Sequence, residues 1–555
     1  MFDHTKYQAF KAVQKPNRSW PSNQIEKAPI WCAVDLRDGN QALIEPMSVL
    51  QKQKMWQLLI DMGFKQIEVG FPSASQTDFD FVRWLIEENQ IPEDVTIQVL
   101  VQARDHLIER TYESLVGAKQ AVVHVYNSTS PVQRNKVFNL DKQGIIDIAI
   151  NGAKKVLSES KKHPNTQWTF QYSPESFSST ETDFAIEVCN AVIDVWQPTN
   201  DNKAIINLPA TVECAGPNVF ADQVEFFCEG IQQRNNLIIS IHTHNDRGCA
   251  VAAAELALLA GADRIEGTLM GNGERTGNMD IITMAMNLYS QGIDPKLNLQ
   301  DAKRITRTVE ECTNIPTHAR HPWMGDLVYT AFSGSHQDAI KKCLEKQTDN
   351  EIWDVAYLPI DPKDIGRDYQ SVIRVNSQSG KGGVAYILEQ EFGIQLPRWM
   401  QIYVSQKVQQ ESEGKGEVTS KEIYKIFTNS FMNDDGHIQL SDYDIQPKND
   451  NEPKTMHIHL QEGTSKVALE SKNNGALEGF SQALSEHLNL KIDITQFSET
   501  SLGQHSDASA LSCIELKIND QSISACAIEK DTLKANLKAI VNGVNQYINQ
   551  QAMAA

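Results

Sequence analysis

The sequence predicts an α/β protein whose main part is a (β/α)8 barrel. Eight apolar runs rich in Val, Ile and Thr recur between residues 30 and 270, and stretches with helical periodicity separate them. Most runs are apolar on both faces, which is typical of parallel strands covered by helices. Polar residues follow the ends of the runs, where a barrel places its active site. An open doubly wound sheet is the alternative architecture.

The predicted elements follow one another in strict alternation. Strands are predicted at residues 30–36, 65–70, 95–101, 121–127, 167–173, 204–210, 237–243 and 264–270. Helices are clearest at residues 49–63, 183–196 and 249–262, where apolar positions recur with helical spacing. Eight strand–helix units in this order favour the closed barrel.

The pattern changes after about residue 325, and we predict four segments. Residues 1–29 form an N-terminal extension, 30–325 the catalytic TIM barrel, 326–445 helical linker subdomains, and 446–555 a C-terminal α+β domain. The polar stretch QPKNDNEPKT at 446–455 is typical of a linker, and an alternating segment that begins with MHIHLQ follows it. Beyond the strand–helix alternation, the sequence gives no sign of an internal repeat.

Composition and charge limit the classes of protein. The 555 residues are 41% hydrophobic and 22% charged, as in a folded soluble protein. The net charge of -20 argues against nucleic acid and anionic membranes as partners, though not against a small anionic substrate. The nine cysteines form no CxxC pair, and neither a signal peptide nor an apolar run of about 20 residues is present. We therefore expect a reduced, cytoplasmic protein.

Polar residues collect at the predicted C-terminal ends of the strands. The richest segment is WCAVDLRDGNQALIEPM at 31–47, which brings Asp35, Arg37 and Asp38 to the end of the first strand. A carboxylate beside a guanidinium can hold a metal ion and stabilise an oxyanion, although a surface ion pair is the simpler alternative. The other rim residues include Glu68, His124, Tyr126, Ser173, Glu175, Thr211, Glu213, His242, His244, Asn272, Glu274, Arg275 and Asn278.

The segment IHTHNDRG at 241–248 gives the sharpest indication of a metal site. His242 and His244 are two residues apart on a predicted strand, so both side chains point to the same face. Asp38 and Asn278 could complete the ligand set from across the barrel mouth. Mixed nitrogen and oxygen ligands with open positions suit a catalytic ion better than a closed structural site. Taken alone, two such histidines could simply hydrogen-bond to neighbours.

Other motifs carry less weight. The stretch GNGERTGN at 271–278 does not have the GxGxxG spacing of a nucleotide loop, and its glycines would instead let the backbone pass close to an ion. His457 and His459 repeat the HxH spacing without a nearby acidic residue, which predicts a solvent-facing strand. Spacing alone predicts surface or core positions for His318, His321, His336 and Tyr357.

The motifs LRDGNQ, HTHND and GNGERTGN, in that order, resemble the metal-dependent Claisen-condensing family of acyl-CoA enzymes. Within it the chain is similar to the long form of the 2-isopropylmalate synthases, from about residue 25 to the C-terminus. The further motifs that carry this likeness are IEVGFPSAS, YSPESF, PATVE, YLPIDP and NSQSGKGG. The related homocitrate and citramalate synthases usually read TLRDGxQ where this chain reads DLRDGNQ.

The resemblance implies an activity and a set of site residues. The reaction would condense acetyl-CoA with 2-oxoisovalerate and hydrolyse the thioester, which is the first step of leucine biosynthesis. Asp38, His242, His244 and Asn278 match the family's metal ligands, and Arg37 matches the arginine that polarises the keto oxygen. The positions that resemble the keto-acid pocket are Leu100, His124, Tyr126, Ser173 and Thr211. Glu175, His336 and Tyr357 match catalytic positions, the last two supplied in the family by a partner subunit.

The resemblance also implies cofactors and partners. We expect a divalent ion (Mg2+, Mn2+ or Zn2+), with K+ as a candidate activator, and a homodimer whose C-terminal regulatory domain binds leucine as an allosteric inhibitor. His336 is our choice of general base because an imidazole titrates near neutral pH, and a water relayed through Glu175 is the alternative. Homocitrate synthase, citramalate synthase and a non-catalytic leucine and metal sensor are the competing hypotheses.

Overall fold

A computed structural model describes residues 15–331, 333–348, 351–367, 375–376, 381–412, 417–432, 436–446, 453–502 and 508–554. The chain divides into two compact units. The first unit is Met1–Val328 with Asp364–Gly366, and the second is Tyr329–Lys363 with Arg367–Ala555. The division falls close to residue 325, where the sequence pattern changes.

The first unit contains a closed barrel of eight parallel strands in the order β1 to β8, so the predicted (β/α)8 fold is confirmed. The barrel closes where β8 pairs with β1, with Arg264 opposite Ile30. The strands are β1 Ile30–Ala33, β2 Gln66–Gly70, β3 Thr96–Gln102, β4 Gln120–Ser128, β5 Gln167–Glu175, β6 Ala204–Ala210, β7 Leu237–Thr243 and β8 Arg264–Gly267.

Helices cover the outside of the strands. The first of them starts with a capping box between Ser48 and Gln51 and ends at Gly63, whose φ of 94° is easily reached only by glycine. The helices of this unit are α1 Val49–Met62, α2 Gln76–Glu87, α3 Asp105–Ser114, α4 Pro131–Gln133, α5 Lys142–Ser160, α6 Thr182–Trp196, α7 Pro217–Gly230, α8 Ala250–Leu259, α9 Ile281–Tyr289 and α10 Ala302–Thr313.

Strands β1 and β8 are shorter than the sequence predicted. The run at 30–36 leaves the sheet after Ala33 and forms a helical turn at Asp35–Gly39, closed by the Gly39 N–H donating to the Val34 carbonyl. The run at 264–270 leaves the sheet after Gly267 and continues in a turn at Leu269–Gly271. These turns replace sheet pairing with local hydrogen bonds, and the first of them carries Arg37 and Asp38 to the mouth of the barrel.

The described part of the N-terminal extension binds to helix α7. Arg18 makes two hydrogen bonds to Asp222, at 2.6 and 2.7 Å, and the Trp20 indole donates to the same carboxylate at 2.9 Å. Lys15 lies 2.7 Å from Glu229 and 3.3 Å from Glu225. The extension is therefore held by acidic residues spaced along one face of α7.

Helices form the first part of the second unit, as the sequence predicted for residues 326–445. They are α11 Gly334–Leu344, α12 Lys381–Phe392, α13 Arg398–Ser412 and α14 Ser420–Phe431, with a short pair of strands at β9 Val375–Asn376 and β10 Glu417–Val418. The motif NSQSGKGG lies partly outside the described residues. Helix α14 begins with a capping box between Thr419 and Glu422, which satisfies backbone N–H groups in its first turn.

The C-terminal part consists of two β-β-β-α modules that share a core. The first is β11 Ile438–Gln446, β12 Lys454–Glu462, β13 Ser465–Asn473 and α15 Ala476–Leu488, and the second is β14 Ile492–Leu502, β15 Ser509–Ile518, β16 Gln521–Glu529 and α16 Thr532–Ala554. This repeat is structural and was not visible in the sequence. The first sheet begins at Ile438, before the predicted boundary at 446, because β11 pairs with β12 along its length.

Two remaining sequence expectations concern cysteines and membrane segments. All nine cysteines lie in described segments and are free thiols. Among the helices that the structure describes, none combines the length and apolar character needed to cross a bilayer.

Candidate active site and metal centre

Three predicted ligands meet at the C-terminal mouth of the barrel. One ligand atom from each of Asp38, His242 and His244 lies within 4.8 Å of the others, and all three side chains are buried. His242 Nε2 is 3.2 Å and His244 Nε2 is 3.8 Å from Asp38 Oδ2. His242 lies on β7 and His244 directly follows its last residue, so both imidazoles point to one face, and the turn after β1 supplies the carboxylate.

The loop after β8 brings Asn278 to the same cluster. Asn278 forms an isolated β-bridge with His244, and its Nδ2 donates to the Asn272 carbonyl at 3.1 Å. That bond leaves the amide oxygen turned away. Within the described residues, the buried atoms Asn278 Oδ1 and His244 Nδ1 have no hydrogen-bond partner. Buried polar atoms rarely stay unpaired, so Asn278 Oδ1 fits a site completed by a cation, with His244 Nε2 as the imidazole nitrogen on the Asp38 side.

The charges in the cluster influence one another strongly. Burial would raise the pKa of the Asp38 carboxyl, but Arg37 and His242 hold it well below its usual range. Burial would lower the pKa of His242, yet hydrogen bonds to Asp38 and Glu266 raise it to about 9. Burial and the neighbouring His242 lower the pKa of His244 to about 4. The cluster therefore contains an ionised carboxylate and a neutral imidazole, both suitable ligands for a divalent ion.

Arg37 is fixed beside the cluster by two carboxylates. Its Nη1 donates to Asp38 Oδ1 at 2.7 Å, and its Nε donates to Glu68. The other oxygen of Glu68 accepts from His124 Nδ1 at 2.9 Å. Arg37 thus places a permanent positive charge next to the proposed ion position, where it can stabilise charge on a substrate oxygen.

A cavity of about 740 Å3 opens above this cluster, a size that suits a small-molecule ligand. The structure brings ten of the predicted site residues together in its lining. They are Arg37, Asp38, Leu100, His124, Tyr126, Ser173, Glu175, Thr211, His242 and His244. Asn278 lies at the edge of the same loop cluster through its bridge to His244.

Hydrogen bonds fix the polar side chains on one side of the cavity. His124 Nε2 lies 2.7 Å from Ser173 Oγ, and the amide of Asn207 also donates to that oxygen at 3.0 Å. The Tyr126 hydroxyl accepts from Gln102 at 3.0 Å. Leu100 adds an apolar surface to the same lining. This side of the cavity can therefore receive a small ligand that has both polar and branched apolar parts.

Glu175 and Thr211 lie on neighbouring strands at the cavity wall. The Glu175 carboxylate accepts a hydrogen bond from the Ser128 hydroxyl, and Thr211 Oγ1 accepts from the Ser176 N–H at 2.9 Å. Both contacts orient the side chains at the end of β5 and just after β6. Glu175 also lines a neighbouring cavity of about 450 Å3.

His336 and Tyr357 lie in the second unit. Their rings stack with centroids 4.0 Å apart, and the Tyr357 side chain is 60% exposed. An exposed imidazole stacked on a phenol is available to a ligand or to another protein surface. The catalytic role of the pair stays a prediction.

Sequence reasoning missed the side chains beneath the metal cluster. Glu266 and Arg264 on β8, Gln98 on β3 and Gln171 on β5 are fully or almost fully buried and polar. Asn207 on β6 was also missed. The signal in the sequence is a polar residue in the interior of a predicted strand, clearest for Gln98 and Asn207, whose strand neighbours are apolar.

Comparison with known proteins identifies the class. Residues 28–309 match the HMGL-like family model, residues 326–389 match a model described as alpha-isopropylmalate synthase, post-catalytic domain-like, and residues 417–548 match the LeuA allosteric (dimerisation) domain. The barrel, the cluster of candidate metal ligands and the order of the matched domains thus define an HMGL-like enzyme with an allosteric domain.

Similar proteins narrow this class to one family. The 2-isopropylmalate synthase of Alcanivorax borkumensis is 54% identical over 98% of both chains, and that of Pseudomonas putida is 52% identical over 99% of this chain and 98% of the relative. Among solved structures, an HMG-CoA lyase from Bacillus subtilis is 20% identical over 53% of this chain and 96% of that chain, with a TM-score of 0.43. The chain belongs to the 2-isopropylmalate synthase family of acyltransferases.

Proposed function

We propose that this protein condenses acetyl-CoA with 2-oxoisovalerate and hydrolyses the thioester to give 2-isopropylmalate and CoA, the first step of leucine biosynthesis. The observation that carries the proposal is 52 to 54% identity to 2-isopropylmalate synthases over at least 98% of this chain. The cavity above Asp38, His242 and His244 supports it, because it offers a charged floor and a partly apolar wall.

Asp38, His242, His244 and Asn278 would hold a divalent ion, with Mg2+, Mn2+ and Zn2+ as candidates. The unpaired Asn278 Oδ1 and the grouping of Asp38, His242 and His244 support this ligand set. Such an ion would supply Lewis-acid polarisation of the keto carbonyl. K+ remains a candidate activator, and no residue is assigned to it.

Arg37 would stabilise the keto oxygen as it gains charge, because Asp38 and Glu68 fix the guanidinium in place. The polar residues His124, Ser173 and Thr211 would bind the carboxylate end of the keto acid. Leu100 and Tyr126 would contact its branched end. This division follows the chemistry of the side chains that line the cavity.

The reaction needs a base for the acetyl methyl group. We propose that a ring nitrogen of His336 accepts this proton and that the resulting carbanion forms a bond to the keto carbon while the C=O π bond breaks. The keto oxygen then takes back the proton held by the imidazolium. In the second step a water oxygen bonds to the thioester carbon as the C–S bond breaks, and one water proton goes to sulfur, so that CoA leaves as the thiol. In a homodimer, His336 and Tyr357 would come from the second subunit, and their exposure supports this. Glu175 acting through a water is the alternative base.

CoA release, measured with a thiol reagent in the presence of a divalent metal, tests the activity. We expect release with acetyl-CoA and 2-oxoisovalerate, and much less with pyruvate or 2-oxoglutarate. A folded, metal-loaded protein that releases no CoA with any keto acid would remove the proposal, and a large preference for pyruvate would change the assigned substrate.

We further propose that leucine inhibits the enzyme through the C-terminal modules, and that the enzyme works in the cytoplasm as a homodimer. The match of residues 417–548 to an allosteric and dimerisation domain supports both regulation and dimer formation. Light scattering of the purified chain tests the dimer. Calorimetric titration with leucine, with isoleucine as the comparison ligand, tests the effector.

A further inference from the structure

A network of buried polar side chains fills the barrel directly beneath the metal cluster. Its centre is the pair Arg264 and Glu266, both on β8, with relative exposures of 0% and 1%. Their neighbours are inward-facing residues of other strands. These are Gln66 on β2, Gln98 on β3, Gln171 on β5, Ser240 and His242 on β7.

The two carboxylate oxygens of Glu266 accept hydrogen bonds from different donors. Its Oε2 accepts from His242 Nδ1 at 2.9 Å. Its Oε1 accepts from Arg264 Nη1 at 2.6 Å and from Gln171 Nε2 at 2.8 Å. Because Gln98 Nε2 also donates to Oε1, at 3.4 Å, this oxygen has three donors and the carboxylate is not free to turn away from the imidazole.

Arg264 is itself fixed on every side. Besides Glu266, its guanidinium donates to Gln66 at 2.5 Å, to Ser240 at 2.8 Å and to Gln98 at 2.7 Å. These partners lie on three different strands of the closed barrel. The orientation of Glu266, and through it that of His242, is therefore set by the barrel framework itself.

His242 and His244 differ in the hydrogen bonding of their Nδ1 atoms. The hydrogen bond to Glu266 keeps a proton on His242 Nδ1 and turns Nε2 towards Asp38, 3.2 Å away. His244 Nδ1, by contrast, has no partner among the residues that the structure describes. His242 is thus oriented before any ion binds, whereas the His244 ring depends on the ion for its final position.

We propose that Glu266, anchored by Arg264, is a positioning residue that holds the His242 imidazole in the orientation and tautomer needed to ligate the metal ion. Carboxylates that accept from the second nitrogen of a ligating histidine commonly strengthen metal binding. This inference rests on the proposed role of His242 as a ligand.

The test measures metal binding directly. We expect Glu266→Gln to bind Mn2+ about 10- to 100-fold more weakly in equilibrium dialysis, with a changed Mn2+ EPR spectrum. Its kcat/KM at saturating metal should fall less than its metal affinity. An Mn2+ affinity equal to that of the parent, in a folded variant, overturns the inference.

Two comparison variants show whether a loss of Mn2+ affinity is specific to Glu266 and whether the proposed metal site itself is correct. Glu159→Gln changes another buried carboxylate, on α5, that is paired with Lys155 and Lys162 far from the cluster, and it should leave Mn2+ affinity unchanged. His242→Ala should lose most Mn2+ affinity. If His242→Ala binds Mn2+ normally, the proposed metal site itself is wrong. If His242→Ala loses Mn2+ affinity but Glu266→Gln does not, the metal site stands and only the role of Glu266 is wrong.

Removing the charge of Glu266 leaves Arg264 buried without its counter-charge, and the variant could fail to fold for that reason. Glu266→Asp keeps the charge but withdraws the carboxylate by one methylene. We expect it to fold and to bind Mn2+ at least about 10-fold more weakly. Parent-like affinity in the aspartate variant also overturns the inference.

Discussion

Asp35 is a buried carboxyl group whose role differs from that of Asp38, three residues later. Its Oδ1 accepts the Leu269 N–H at 2.9 Å, while Oδ2 has no hydrogen-bond partner within the described segments. Burial raises the pKa of Asp35 to about 7, against an ordinary value of 3.8. Asp35 therefore holds the turn after β1 to the turn after β8 and is neutral at mildly acidic pH.

A pH-dependent stability follows from this shift. Between pH 4 and 7 the folded chain binds the Asp35 proton more tightly than the unfolded chain, so this group's contribution to the free energy of unfolding falls as pH rises to about 7. Asp35→Asn keeps the acceptor for Leu269 and removes this dependence. We therefore compare the free energies of unfolding of Asp35→Asn and the parent at about pH 5 and at about pH 8. The difference between them should increase in favour of the variant by about 2 kcal/mol from the lower to the higher pH.

Urea unfolding of both proteins at the two pH values measures this difference. Asp94→Asn is the comparison, since that carboxylate is exposed on the protein surface and has the opposite pKa shift, downward, from its contact with Lys65. A constant difference between Asp35→Asn and the parent across this pH range would contradict the prediction.

His244 provides the residue-level test of the metal centre. His244→Ala removes one of the proposed ligands, so we expect a loss of metal affinity of about 100-fold or more and loss of most activity. His459→Ala, an exposed histidine on β12, should change neither. Metal content measured by atomic absorption after dialysis gives the result, and unchanged content in His244→Ala would exclude it as a ligand.

The loop from Gly267 to Ile281 is the element that completes the metal centre. Gly277 has a φ of 102°, and a Cβ there would lie 2.0 Å from the Gly271 carbonyl oxygen. The Gly277 carbonyl accepts from Asn245, and the next residue, Asn278, bridges to His244. The tight path of this loop is what pairs the Asn278 backbone with His244.

Gly277→Ala should disturb this loop. The added methyl group would force the backbone away from Gly271, so we expect a destabilisation of about 1 to 3 kcal/mol and about a 10-fold weaker metal affinity. Gly292→Ala is a matched control, because Gly292 also has a positive φ, of 78°, but a Cβ there meets nothing within 4 Å. Equal metal affinity in the two variants would show that the loop path is unimportant for the site.

At the largest scale, a continuous apolar core within the second unit joins its helices α12 to α14 to the C-terminal modules. Val404, Val408 and Phe427 of α13 and α14 pack in one cluster with Cys513 and Cys526 of β15 and β16. The Tyr403 hydroxyl donates to the buried carboxylate of Glu515 at 2.6 Å. A truncation before β11 would uncover this core, so single substitutions are the better test of regulation.

Tyr403→Phe removes the one polar contact just described between α13 and β15 without changing the shape of the ring. If leucine acts through the C-terminal modules, its effect must pass through this packed region, and we expect about a 10-fold higher leucine concentration for half-inhibition. The kcat without leucine should stay within about twofold. Tyr443→Phe, which removes a surface contact to Asp531, is the control. Unaltered inhibition in Tyr403→Phe would contradict the predicted coupling.

Much of the fold could be predicted because the spacing of apolar residues within a short segment is enough to indicate a strand or a helix. Strands β6 and β7 have the predicted bounds, since every residue of β6 and all but Ile238 of β7 are buried. The predicted strands at 30–36 and 264–270 were too long at their ends. Apolar character continues there, but hydrogen bonds across the barrel mouth draw the chain into turns instead.

The sequence by itself determined the barrel, the order of its strands and the residue types at its mouth, because hydrophobic spacing and ligand chemistry are properties of short segments. Only the tertiary structure decided which of those residues meet. It placed Asp38 beside His242 across 204 positions, and it revealed Arg264 and Glu266 as their buried support. It also revealed the repeated C-terminal module. These depend on contacts between distant strands, which no local pattern encodes.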